Sequence, residues 1–278
     1  MTLWPGRTDA RLIGARCRLA CVAALVCLGA AACAGAIGGP ALSPARPHGD
    51  ALLMLPGFGY NRAGERALRS LAAAMAGDGI DLFVPTYISR GGIPESRERL
   101  QRFIRDRHLD QYQRVHVFAF IAGAWTINPL VEMDGLPNLM TVVYDRSPYQ
   151  ERAPRIAEEH LHFLAWLRYG SPVFDVARTP YAPLSAPGVR VGIVVETRPT
   201  SFIRKHEEAA RAYGPFHFEC DAFMQRHDDC MYLALNHEEL YVRFAEVWPD
   251  VLAFIRTGRF TRTANRTPPL GDALAEKR

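Results

Sequence analysis

Val115 to Gly123 reads VHVFAFIAG, and Trp125 follows within the same apolar stretch. A β-branched and aromatic run that passes directly into small residues reads as a buried strand, 115–120, turning sharply into a helix at Ile121. The same unit recurs on either side. Upstream, Ala51 to Leu55 (ALLML) is a continuous apolar run that stops at Pro56-Gly57-Phe58-Gly59. Leu68, Leu71, Ala72 and Met75 then stand at helical spacing over 66–76, and Gly77 and Gly79 close that helix. Leu82-Phe83-Val84 before Pro85 is a second strand. The segment 95–107, with Leu100, Phe103 and Ile104 on one face, is a second helix. Downstream, Leu139 to Tyr144, Val189 to Val195 and Met231 to Leu235 supply three more strands. Strands alternating with amphipathic helices predict a three-layer α/β/α domain with a mostly parallel sheet, whose reactive edge lies beyond the carboxyl ends of the strands.

One interval breaks the alternation. Residues 146–187 carry a helix near 156–167 and then a loop-like, proline-rich stretch over 171–187. An insertion placed after a strand end is expected to act as a lid.

The 278 residues are 49% hydrophobic and 22% charged, with 33 Lys+Arg against 29 Asp+Glu, a formal +4. This excludes a disordered polyelectrolyte, a multi-pass membrane protein and a disulfide-dense miniprotein. Most of that charge is at the start, where Arg7, Arg11, Arg16 and Arg18 face only Asp9. An uncharged run, Leu19 to Ala32, follows them and ends in small residues. Residues 1–33 thus read as an export signal, with Cys33 either a lipidated residue of a lipoprotein or simply near a cleavage site. Residues 34–49, rich in Gly, Pro and Ala, read as a tether; 50–260 as the domain; and 261–278, polar and aperiodic, as a disordered tail. The expected location is the bacterial cell envelope or the exterior, and a lipidated Cys33 would attach the protein to a membrane. Beyond the leader only Cys220 and Cys230 remain, and in an exported chain that pair reads as a disulfide.

The chain resembles the α/β-hydrolase family, in particular small lipases and esterases that begin near the third strand of the full fold. The resemblance covers roughly residues 50–258. LPGFG at 55–59 looks like the family's oxyanion turn, and VHVFAFIAG like the strand and elbow written G-x-S-x-G. Asn236-His237-Glu238-Glu239 follows the last strand, where the family keeps its histidine. The resemblance implies His237 as the base, Glu196 or Asp145 as its acid with Glu196 preferred, and backbone N–H groups of Phe58 and Ala122 as oxyanion donors. On the elbow, however, Ala119 takes the first Gly, Ile121 the Ser and Gly123 the last Gly. Ile121 is therefore a degenerate nucleophile position. A left-handed elbow would strain a β-branched residue by about 1–3 kcal/mol, so either the turn has relaxed or the fold carries that strain. Phe120, Ile121 and Trp125 are expected to form an apolar pocket floor. Thr126 is the nearest hydroxyl, inside the helix, and Ser147, Ser171, Ser185 and Ser201 follow no elbow pattern.

Other chemistries find less support. Glu158, Glu159, His160 and His162 cluster on one helix, and His227-Asp228-Asp229 on a loop, but neither carries a ligand set, so no metal and no cofactor are expected. No phosphate-binding glycine motif occurs, and a body charge near +1 gives no basis for nucleic-acid binding. Three functions remain: a binding or scaffold protein that has lost its serine and takes an apolar small molecule or lipid; a lipase-like or esterase-like hydrolase using water activated by His237 or another nucleophile; and an envelope structural protein with a filled pocket.

Overall fold

The computed structural model describes residues 49–271 and 274. The leader, Cys33, the tether up to residue 48 and the last residues of the tail lie outside that range. Strands β1 (Asp50–Leu55), β2 (Ile80–Phe83), β3 (Arg114–Ala119), β4 (Leu139–Arg146), β5 (Arg190–Glu196) and β6 (Asp229–Leu233) form one sheet in the order β2-β1-β3-β4-β5-β6. Every neighbouring pair is parallel. The continuous apolar run of β1 is explained by burial on both faces. Leu52 and Met54 enter one core with Leu68, Met75 and Phe254, while Ala51, Leu53 and Leu55 enter the other with Leu100, Ile104 and Ile127.

Helices cover both faces. Helix α1 (Arg62–Gly77) is capped by Asn61, whose side chain accepts from the N–H groups of Ala63 and Gly64. Helix α2 (Ile93–Asp106) has Pro94 in its first turn. Helix α3 (Ile121–Val131) follows β3 without an intervening loop. The insertion contributes α4 (Ala153–Tyr169) and α5 (Pro172–Arg178), so the stretch read as loop over 171–187 begins as a helix. Pro172 conceals this helix in the sequence: at the first helical position its missing N–H removes no helical bond, so there it starts a helix. Helix α4 is longer than expected and kinks at Leu161. Short helices α6 (Ser201–Lys205) and α7 (Glu207–Ala212) precede β6, and α8 (His237–Val242) and α9 (Phe244–Thr257) close the domain. No helix among the described residues is long and apolar enough to cross a membrane.

Strand β6 begins two residues earlier than its apolar run, at Asp229, because Asp229 is held from outside the strand. Its carboxylate accepts from Phe260 N (2.7 Å) and pairs with Arg266 (3.0 Å). Arg266 also donates to Cys230 O (2.9 Å), and Tyr232 N donates to Asn265 O (2.9 Å). The expectation of a free tail from 261 is thus corrected over 261–266. This segment covers the exposed edge of β6, which would otherwise present unpaired backbone groups. Cys220 and Cys230 form a disulfide that ties the preceding loop to the same edge. Closing so short a loop contributes about 2–3 kcal/mol.

Candidate functional site

The chain leaves β1 toward β2 on one side and, with β3, toward the other side. The carboxyl ends of β1 and β3 therefore diverge into a crevice, the place where ligands bind on open parallel sheets. Leu55 pairs with Ala119 across that point, and Phe120 N donates to Leu55 O (3.1 Å), so the turns at 56–59 and 120–123 are neighbours.

The first turn is held by two tyrosines. Tyr87 donates to Pro56 O (2.6 Å), and Gly57 N donates to Tyr241 Oη (2.7 Å). Gly57 also keeps the turn close to the histidine: a Cβ there would lie 3.2 Å from both His237 Nε2 and Tyr241 Oη, and these side chains would have to give by a few tenths of an ångström. No motif marks Tyr241 in the sequence; the available signal is its place four residues after His237 on the same helix, and so on the same face.

The second turn has relaxed. Phe120 is extended (φ −73°, ψ 171°) and Ile121 begins α3; among the described residues, the non-glycine residues with positive φ are His108, Asp134 and Met224. The turn stores none of the strain that a left-handed Ile121 would impose. The first bond of α3 runs from Ala124 N to Phe120 O, so the N–H groups of Ile121, Ala122 and Gly123 precede the helical ladder, and no side chain caps them. Gly123 survives for steric reasons: a Cβ would stand 2.8 Å from both Leu55 O and Leu55 Cβ.

His237 is positioned by a capping box. Asn236 accepts from Glu238 N and Glu239 N (both 3.0 Å), and Glu239 accepts from Asn236 N (2.9 Å), which makes Glu239 a structural residue. The imidazole Nδ1 lies 3.0 Å from Asp145 Oδ2 and 3.4 Å from Glu196 Oε2. Both acids are brought in: Asp145 pairs with Val194 in register, and Glu196 stands two residues further on the same face. The preference for one acid is therefore replaced by a three-residue cluster in which Asp145 is the nearer. His237 is 7% exposed and both acids are fully buried. None of their four oxygens, nor Nδ1, has an aligned hydrogen-bond partner, so the cluster is held by charge proximity.

Burial alone would lower the His237 pKa, but the charge of Glu196 and the contacts with Asp145 and Glu196 outweigh it and raise it to about 10. Burial and the charge of Asp145 raise Glu196 to about 8. Burial also raises Asp145, offset in part by His237. Two buried acids thus share one imidazole, and each of the three groups is shifted toward its protonated form. The same three side chains bring one ligand atom each to within 4.8 Å of one another, which makes them the group of described residues able to hold a metal ion. The Nδ1 that would ligate is the atom that otherwise carries the proton between the acids.

Above the cluster lies a cavity of about 130 Å³ lined by Ile121, Phe58, Ala122 and His237 from the sheet side, and by Ala153, Pro154, Ala157 and Val173 from α4 and α5. Residues of the insertion thus form one wall of the cavity. Gln150 and Thr200 add polar lining, joined by a bond from Gln150 Nε2 to Thr200 Oγ1 (3.1 Å), and Glu238 stands exposed at the mouth. Two expected floor residues are elsewhere. Phe120 does not line the cavity; it stacks on Tyr241 (4.1 Å between centroids) and meets the ring of His237 edge-on (5.1 Å), behind the site. Trp125 sits a helical turn further along, donating to Thr179 O (3.1 Å) and packing on Tyr181. Thr126 donates to Ala122 O (2.8 Å) and is unavailable as a nucleophile, and none of Ser147, Ser171, Ser185 and Ser201 lines the cavity. The helix cluster is structural, with Glu158 paired to Arg178, Glu159 accepting from Tyr213 and His162 stacked on Phe174. In the loop, Asp228 accepts from Val191 N.

No family model and no curated protein matches the sequence. Among solved structures, the chain is similar to lipase BlEst2 of Bacillus licheniformis, at 12% identity and a TM-score of 0.50, over 77% of this chain and 96% of that one. It is also similar to the type II thioesterase YbtT of yersiniabactin biosynthesis, at 14% identity and a TM-score of 0.47, over 80% and 98% respectively. Together with the parallel sheet order, the likeness to the lipase shows an α/β-hydrolase fold.

Proposed function

We propose that this protein of α/β-hydrolase fold is an exported, non-hydrolytic binding protein whose pocket takes an apolar small molecule or lipid-derived ligand. The observation that carries the reading is Ile121. It occupies the turn where the fold's enzymes place a nucleophile, and it does so in helical backbone at the base of an open cavity. Ile cannot attack a carbonyl. The obvious substitute, water activated by His237, needs an imidazole free to accept a proton, whereas two buried acids hold this one protonated at neutral pH. A purely structural role would leave the crevice filled, and the cavity above Ile121 favours ligand binding instead. Export rests on the basic and apolar pattern of residues 1–33, and membrane attachment on lipidation of Cys33.

The test is an assay of the purified protein on short and long acyl esters and thioesters, beside Ile121→Ser. Both are expected to show no turnover above buffer. A serine at 121 starts a helix from an unstrained turn and faces a protonated histidine, so restoring the hydroxyl does not restore the machinery. Wild-type turnover lost on His237→Gln, or a large gain in Ile121→Ser, would contradict the proposal.

A further inference from the structure

We infer that Asp145, Glu196 and His237 bind a divalent transition-metal ion, zinc by their ligand chemistry, which ties the ends of β4 and β5 to α8 behind the cavity. The cavity is lined by His237 but by neither acid, so the inference holds whether or not the pocket takes an apolar ligand. Two independent observations point to an ion. The first is spacing. Nδ1 is 3.0 Å from Asp145 Oδ2 and 3.4 Å from Glu196 Oε2, and one ligating atom from each residue lies within 4.8 Å of the others. Atoms bound to one zinc ion at about 2.0–2.2 Å stand about 3–3.6 Å from one another, so both histidine edges of such a site are in place. The second is the state of the polar atoms. All four carboxylate oxygens and Nδ1 are buried without an aligned hydrogen-bond partner. Buried polar atoms are ordinarily paired, and this many orphans meeting at one point call for a shared partner. Arg146, the next residue on β4, is directed to Glu151 (2.6 Å).

The donor set selects the ion. Two carboxylates with a neutral imidazole balance a dication, so the loaded site buries no net charge. An imidazole nitrogen beside carboxylate oxygens suits zinc, whereas calcium and magnesium take larger or more hydrated shells of oxygen alone. The ion takes the place of a proton on Nδ1. Nε2, on the other edge of the ring, keeps its hydrogen, so His237 is no more a base toward the Gly57 turn with the ion than without it. Both acids are fully buried, so the ion is expected to enter as the chain folds or through an opening of α8.

The test uses chelator-treated protein given zinc at neutral pH, both folded and refolded from urea with the disulfide intact, and then freed of excess ion. The refolded wild type is expected to retain one zinc per chain by elemental analysis, and its unfolding midpoint to rise with zinc concentration. A residue that only orients a metal ligand is worth about 10–100-fold in affinity, so Glu196→Gln, which removes a ligating oxygen's charge, is expected to weaken zinc at least about tenfold in a chelator competition. His162→Gln, in the histidine cluster of α4, is the control and is expected to leave the affinity within about twofold. Imidazole ¹⁵N spectra of the wild type need no variant: zinc is expected to move the Nδ1 signal of His237 and to leave Nε2 protonated. Refolded wild type that retains no zinc, an affinity unchanged in Glu196→Gln or lost in His162→Gln, or a His237 Nδ1 unmoved by retained zinc would each overturn the inference.

Discussion

Replacing His237 with leucine is expected to cost about 3–5 kcal/mol of folding stability at pH 8, and much less near pH 4.5. The substitution keeps the volume of the ring but leaves Asp145 and Glu196 side by side, fully buried, with no cation. Two buried like charges raise each other's pKa and burial raises both, so the variant's acids titrate further above their unfolded values. Raised acids contribute their stability below the unfolded pKa and lose it as pH rises through the folded one, so the defect grows with pH. The wild type has a milder form of the same dependence. Glu196 is raised from 4.5 to about 8 and His237 from 6.5 to about 10, so the native state holds more protons than the unfolded chain and stability falls between pH 7 and 10. His116, lowered from 6.5 to about 4 chiefly by burial, acts in the opposite sense but only below pH 6.5. Urea unfolding of both proteins from pH 4.5 to 9 measures this directly. A variant as stable as wild type at pH 8 would mean that the acids are not paired with His237.

Gly123→Ala is expected to destabilise by about 2–3 kcal/mol, although helix propensity alone favours alanine by about 1 kcal/mol. The two terms have opposite signs and sterics wins, because the new methyl would meet the Leu55 carbonyl at 2.8 Å and Ala119 Cβ at 3.3 Å. Leu55 O also accepts from Phe120 N, so it cannot retreat without loosening the turn. Gly77→Ala is the control: nothing lies within 4 Å of its Cβ position, and it is expected to be neutral or stabilising. Thermal unfolding of the two variants separates the cases. An unchanged midpoint for Gly123→Ala would show that α3 does not approach β1 this closely. The second glycine of the elbow motif thus persists for packing, with no catalytic role required.

What the sequence made legible follows from what each residue's neighbours are. The run at 51–55 is apolar at every position because both of its faces are covered, and that run with 115–120 was enough to set the sheet. His237 was found from its place after the last strand, and both acids from strand ends. Their assembly into one cluster was not legible, since it depends on the register of β4 against β5. Trp125 was misplaced because an apolar residue near a motif says nothing about how far along the helix it lies from the strand ends. Helix α5 was hidden by Pro172, whose effect depends on whether it starts a helix or interrupts one. The segment 261–266 has no apolar period because it is held at the edge of β6 by polar and backbone bonds.

The central claim is that Asp145 and Glu196 hold His237 protonated at neutral pH, which takes it out of the role of general base. Imidazole ¹⁵N shifts, assigned to His237 by comparison with His237→Gln, report its two nitrogens separately. The account predicts that both are protonated at pH 7 and that the ring titrates only near pH 10. A ring at pH 7 with Nε2 unprotonated would contradict it and return His237 to the role of a general base.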